Sequence, residues 1–150
     1  MVETNLTATM LLVRDFVRFT LLLPYRKHIV LIGSMAGTHV LNASAAYCAS
    51  KAGLAMYVRA AAWELAPKGY DVFGVNPSNT EGTPMTAKTI DGLARYRGLS
   101  REEATAYWGA CLPKAAWLQP ADIAGVVAFL LSGAGSYLSG ANLDLAGGQR

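Results

Sequence analysis

Cysteine, histidine and charge are all scarce in this chain. Its 150 residues hold two cysteines, Cys48 and Cys111, and two histidines, His28 and His39. Two isolated thiols build neither a disulfide framework nor a metal-ligand pattern, so a reducing, cytoplasmic setting is expected. The histidines stand apart in sequence, and no metal site is expected. Only 15% of residues are charged, and 13 basic against 10 acidic residues give +3. That balance is too mild and too scattered for a nucleic-acid partner. No apolar run approaches the ~20 residues that span a bilayer, so no membrane partner is expected. Arg14, Asp15 and Arg18 interrupt the first helical segment, and no secretory signal is read. Internal repeats and low-complexity tracts are absent. What is abundant is hydrophobic side chain, 53% of the sequence. That content excludes disorder and, at this length, suits one domain with a real core.

Hydrophobic spacing organises the chain. In residues 5–23, Leu6, Met10, Val13, Val17 and Leu21 recur at steps of three and four, which predicts a helix that Pro24 stops. Residues 28–33 form a short apolar run and read as a buried strand. A Gly-, Ser- and Asn-rich loop over 33–43 leads to a long helix over 44–66, with Ser44 as N-cap and Pro67 and Gly69 at its end. Its first half is mostly small residues, which let another backbone come close. Residues 71–76 predict a strand, 121–131 a helix and 141–145 a last strand. Between them, 77–118 is too long for a structureless loop and reads as a partly helical lid over a site, with Ser100 and Glu103 as a capping box. Strands alternating with helices predict an α/β fold with a parallel sheet and right-handed crossovers.

One pair of residues carries chemistry. Tyr47 and Lys51 stand four apart in the predicted 44–66 helix, on one face. A Lys ammonium beside a Tyr favours the phenolate and lowers a pKa that is otherwise about 10, which suits general acid–base work. A second feature supports the pair: Gly33-Ser34-Met35-Ala36-Gly37 closes the strand Ile29-Val30-Leu31-Ile32 and puts a hydroxyl thirteen residues before Tyr47. A third is Asn5, in Thr4-Asn5-Leu6-Thr7.

Together these segments resemble the active-site set of the classical short-chain dehydrogenase/reductase family. The likeness covers nearly the whole chain, as the C-terminal part of a Rossmann-like doubly wound parallel sheet of about three strands with flanking helices. The resemblance implies that Asn5, Ser34, Tyr47 and Lys51 are catalytic. It further implies that Tyr47, Lys51, Pro77 and Ser78 contact a nicotinamide cofactor, NAD or NADP, and that Thr83 or its rival Thr80 contacts cofactor phosphate. The Pro77-to-Thr83 spacing is one residue longer than the family pattern, Ser78 stands where that pattern has Gly, and Ala146 where an Asp is common. The implied activity is hydride transfer between the cofactor and a small-molecule carbonyl or alcohol, with Tyr47 as acid/base, Ser34 bonding the same oxygen, Lys51 holding the ribose and Asn5 placing a water. Tyr107, Trp108 and Trp117 are candidates for pocket lining or for lid packing.

No Gly-rich strand–turn–helix fingerprint precedes Asn5, and a dinucleotide fold seats its pyrophosphate on one. Roughly the first hundred residues of a complete enzyme are therefore expected to be missing, and the chain alone is expected to hold dinucleotide weakly. The alternative to an oxidoreductase is a catalytically incompetent paralogue, serving as an assembly module or as one half of a split enzyme. Helices 5–23 and 44–66 carry more apolar and small surface than one thin sheet covers, so a homo-oligomer, dimer or tetramer, is expected through them.

Overall fold

The computed structural model describes residues 1–41, 44–114 and 116–148. Asn42 and Ala43 of the predicted loop, and Ala115 of the predicted lid segment, lie outside the described residues.

Three strands, β1 (Lys27–Ile32), β2 (Tyr70–Pro77) and β3 (Asn142–Leu145), form a parallel sheet in the order β1-β2-β3. Among the described residues, five α-helices accompany them: α1 (Ala8–Thr20), α2 (Ala45–Leu65), α3 (Pro84–Arg97), α4 (Arg101–Ala110) and α5 (Pro120–Leu131). The period-two alternation of the strands sorts their side chains onto two faces. Ile29, Leu31, Tyr70 and Val72 meet Val13 of α1 and Leu54, Val58, Ala61, Ala62 and Leu65 of α2. Phe73 and Val75 point the other way, onto Leu130 of α5 and its partly buried neighbours Val126 and Val127. Each fully buried Val, Leu or Phe here contributes about 1.5–3 kcal/mol. With helices on both faces, the sheet is doubly wound, as the alternation predicted.

The boundaries differ from the predicted ones for local reasons. Asn5 lies not in the first α-helix but in a π-helical turn, Glu3–Thr7, that leads into α1. The α-helix stops at Thr20, because the residue before Pro24 is pushed out of helical geometry. β1 begins one residue early, where the Lys27 amide donates to the Gly69 carbonyl at 2.9 Å. It ends at Ile32, although the Gly33 amide still donates to the Val75 carbonyl at 2.7 Å. Within 77–118, two helices pack on one another, α3 capped by Thr83 and α4 opened by the predicted capping box. In that box the Ser100 amide donates to Glu103 Oε2 at 2.7 Å, and the Glu103 amide to Ser100 Oγ at 3.1 Å. A parallel bridge between Thr80 and Leu118 ties the segment's ends together.

Two glycines leave room for asparagines of the next strand. A β-carbon on Gly74 would lie 2.2 Å from Oδ1 of Asn142, its partner in register, and one on Gly33 would lie 2.0 Å from Asn76 Oδ1. Asn142 Nδ2 crosses to the Ala55 carbonyl of α2 at 2.9 Å, so this helix rests close on the sheet. At the sheet's other end the buried Asp71 carboxylate takes two bonds from Arg26, at 2.7 and 2.6 Å, and lies 3.4 Å from His28 Nδ1. The paired carboxylate raises the Arg26 pKa. This cluster is remote from the strands' C-terminal ends and reads as structural. Among the described residues, no helix is long and apolar enough to cross a membrane, and no three His, Cys, Asp or Glu gather where a metal would sit.

Candidate active site

Open α/β sheets bind ligands beyond the C-terminal ends of their strands, and the candidate residues lie there. Past Ile32 the chain reaches Ser34, which caps a short 3₁₀ turn, Met35–Gly37, by accepting the Ala36 amide on its hydroxyl at 3.1 Å. The hydroxyl's own hydrogen has no acceptor among the described residues. The turn is pressed against α2: a β-carbon on Gly37 would lie 2.9 Å from the Lys51 carbonyl oxygen. This approach brings Ser34 and Tyr47 onto one cavity of about 420 Å³.

Lys51, one helical turn beyond Tyr47, is half-buried and donates to the Ile32 carbonyl at 3.1 Å. Its ammonium sits 5.9 Å from the centre of the Tyr47 ring, within cation–π range. Burial pushes the Lys51 pKa down, since the charged form loses hydration. The Tyr47 hydroxyl has no hydrogen-bond partner among the described residues. Lys51 is not part of the cavity wall.

Asn5 is tied to α2 through its side chain. Its Nδ2 donates to Ser50 Oγ at 3.1 Å, and Ser50 Oγ donates to the Tyr47 carbonyl at 2.7 Å. Its own carbonyl accepts the Thr9 hydroxyl at 3.1 Å. The Asn5 side chain therefore braces the helix that carries Tyr47 and does not line the cavity.

Pro77, Ser78, Thr80 and Thr83 complete the wall opposite Ser34. Both threonine hydroxyls are already engaged: Thr80 donates to the Ser78 carbonyl at 3.2 Å, and Thr83 accepts the Thr86 amide at 3.2 Å as the cap of α3. The α3 N-terminus opens on this cavity, with its partial positive charge toward an anion. Trp117 lines two neighbouring cavities rather than this one, and Tyr107 stacks on the Arg97 guanidinium at 4.4 Å. The sequence reading missed Ser50, whose spacing of three from Tyr47 was a visible signal, and the wall residues His39, Val40, Leu41 and Met85. Those four have no spacing signature, because they arrive from a loop and a separate helix.

A Rossmann-like sheet with a serine, a tyrosine and a lysine at its C-terminal edge defines a dinucleotide-dependent class of fold. The family model described as "Enoyl-(Acyl carrier protein) reductase" matches residues 1–150. The chain belongs to the short-chain dehydrogenase/reductase family. It is 33% identical over 147 residues to the 3-oxoacyl-[acyl-carrier-protein] reductase of Rickettsia bellii, covering 98% of this chain and 56% of that protein. It is 31% identical over 148 residues to a putative ketoacyl reductase of Streptomyces coelicolor, covering 98% and 56%. An actinorhodin polyketide ketoreductase with NADPH superposes with a TM-score of 0.91 at 31% identity, over 98% of this chain and 56% of that one. The sorbitol-6-phosphate 2-dehydrogenase of Erwinia amylovora shares the fold, with a TM-score of 0.92 at 24% identity over 99% and 58%. The chain spans about half the length of the curated relatives it matches.

Proposed function

We propose that this protein is an oxidoreductase acting on a small-molecule carbonyl or alcohol with NAD or NADP. The observation that carries the reading is Ser34 and Tyr47 on one cavity wall, with Lys51 one turn behind the tyrosine. The relatives' reductase descriptions support it.

The residues present fit the nicotinamide end of such a cofactor. The cavity is walled by Pro77 and Ser78, and the α3 N-terminus turns its partial positive charge toward a phosphate there. When bound, the cofactor supplies or accepts the hydride at the substrate carbon. Tyr47 gives its phenolic proton to the carbonyl oxygen as that oxygen gains charge, or takes it back from the alcohol. Ser34 donates its remaining hydrogen to the same oxygen and holds it in reach. The Lys51 ammonium stands one helical turn from Tyr47, and its bond to the Ile32 carbonyl fixes its position. Ser50 fixes the first turn of α2 by donating to the Tyr47 carbonyl, and Asn5 holds Ser50 by donating to its hydroxyl oxygen.

Assembly through the first two helices is part of the proposal. Leu12, Phe19 and Leu22 near α1, and Met56 and Trp63 on α2, are 71, 86, 95, 60 and 85% exposed, an apolar surface of the kind that marks an interface. Free Cys48 and Cys111 fit a cytoplasmic setting. Calorimetric titration with NADH and NADPH tests the cofactor reading. Weak saturable binding that Lys51→Ala abolishes is the expected result; no heat with either dinucleotide overturns it.

A further inference from the structure

We propose that Asn76 is a positioning residue of the site: its side-chain amide seats Gly33 and so sets where Ser34 meets the substrate oxygen. This rests on the oxidoreductase reading and adds to it a residue that lines no part of the Tyr47 cavity.

Strand parity brings the two residues together. Ile29 and Leu31 of β1 and Tyr70 and Val72 of β2 pack toward α1 and α2, so by period two Gly33 and Asn76 fall on that side as well. Asn76 is 1% exposed, and β2 ends one residue later. Its Oδ1 fills the space of the side chain that Gly33 lacks: a β-carbon there would lie 2.0 Å from Oδ1 and 3.2 Å from Cγ. The amide is not free to turn away, because its Nδ2 donates to Asp144 Oδ1 of β3 at 2.9 Å. An ionised carboxylate only accepts, so the amide nitrogen faces Asp144 and the oxygen is left for Gly33. The Gly33 amide is fixed in turn by its 2.7 Å bond to the Val75 carbonyl. Gly33 is therefore held both by a backbone bond and by the Asn76 amide, and Ser34 is the next residue. Gly33 and Ser34 line the Tyr47 cavity, and Asn76 supports them from outside it.

The support matters because Ser34 helps only if its hydroxyl stands within reach of the oxygen that gains charge. Carbon and oxygen do not approach within 3.0 Å, so alanine at 33 must displace one of the two groups by about 1 Å, an error that costs a reaction up to about 10²-fold. The buried Asn76 has no space to retreat into and a bond to lose. The backbone before Ser34 has to give instead.

A size exchange tests this. Gly33→Ala, Asn76→Ala and the double variant are compared with the wild type in the full chain. Gly33→Ala should lower kcat about tenfold or more with KM little changed, because the weakened bond is one made in the transition state. Asn76→Ala should lower kcat severalfold by leaving Gly33 unseated. In the double variant the alanine methyl enters the space that the amide has left, and kcat should return close to the wild-type value. Asp144→Asn, which can still accept the Asn76 amide, should leave turnover unchanged, and Asp144→Ala should reproduce Asn76→Ala. The backbone amide resonance of Ser34, followed by NMR without substrate, should move in both single variants and come back in the double one. Losses that multiply in the double variant, or a Ser34 resonance that ignores both substitutions, overturn the inference. Absence of turnover in the wild type itself would sink the oxidoreductase reading, and the Ser34 resonance would still decide whether Asn76 positions it.

Discussion

Asn5 is tied to Ser50, 45 positions away, by a 3.1 Å hydrogen bond, and Ser50 passes the connection on to the Tyr47 carbonyl at 2.7 Å. The turn before α1 is thereby fastened to the first turn of α2. Ser50 is 1% exposed, so the bond is made out of water. Asn5→Ala and Ser50→Ala should each cost about 1 kcal/mol of unfolding free energy. The double variant should cost less than the sum, because the pair acts as a unit. Urea titration of the four proteins checks this; strict additivity would show that the contact carries nothing.

Gly37 is where the Ser34 turn meets α2. A valine there would push against the Lys51 carbonyl group, which is backbone and cannot step aside. Overpacking of this sort costs about 1–3 kcal/mol. Gly37→Val should lower stability by that amount and also lower turnover, since Ser34 moves away from Tyr47. A stable variant with unchanged turnover would mean that the close approach is not needed to assemble the site.

Tyr47→Phe removes one oxygen and leaves the ring on Lys51. The expected result is a fall in kcat of about 10²-fold or more, with far-ultraviolet circular dichroism and dinucleotide binding unchanged. Turnover at the wild-type rate would reassign the acid/base.

Lys51 imposes a pH signature. Burial holds its folded pKa below the ordinary 10.5. Below that depressed folded value the ammonium is carried in both states, and the folded state bears the full desolvation penalty. Between the folded pKa and 10.5 the unfolded chain binds more protons, so stability rises with pH. Relative to Lys51→Met, which has no such group, the wild type should gain stability through this alkaline window. Denaturation at a series of alkaline pH values measures the difference; a falling one would show that the ammonium is stabilised where it sits.

The exposed apolar helices predict association. The chain should sediment as a dimer or larger species at tens of micromolar, and Phe19→Glu with Leu22→Glu should return it to a monomer. A wild-type monomer under those conditions would remove α1 from the proposed interface.

Much of this was legible in the sequence because it is local. The short apolar runs of β1 and β2, the stop at Pro24 and the Ser100–Glu103 capping box all act within a few positions. Tyr47 and Lys51 were legible for the same reason, since a helix converts a spacing of four into proximity. Asn5 was found as a residue, but its contact was not, because Ser50 is reached only after α1 has packed across α2. The cavity lining from Val40 and Met85 was invisible: they come to one cavity only through the chain's path from β1 and back from β2. The π-helical turn at Glu3–Thr7 has no sequence signature that separates it from an ordinary helix start.

Gly74 and Asn142 have a further consequence for inheritance. The asparagine occupies the space of the side chain that glycine does not have, and from there reaches Ala55 in the helix that carries Tyr47. Neither position is free to drift while the other stays. A larger residue at 74 would eject the amide and lift α2. A smaller one at 142 would leave a void and an unanswered Ala55 carbonyl lone pair. Among descendants of this sequence the two sites should therefore change together or not at all, though they stand 68 positions apart in the chain.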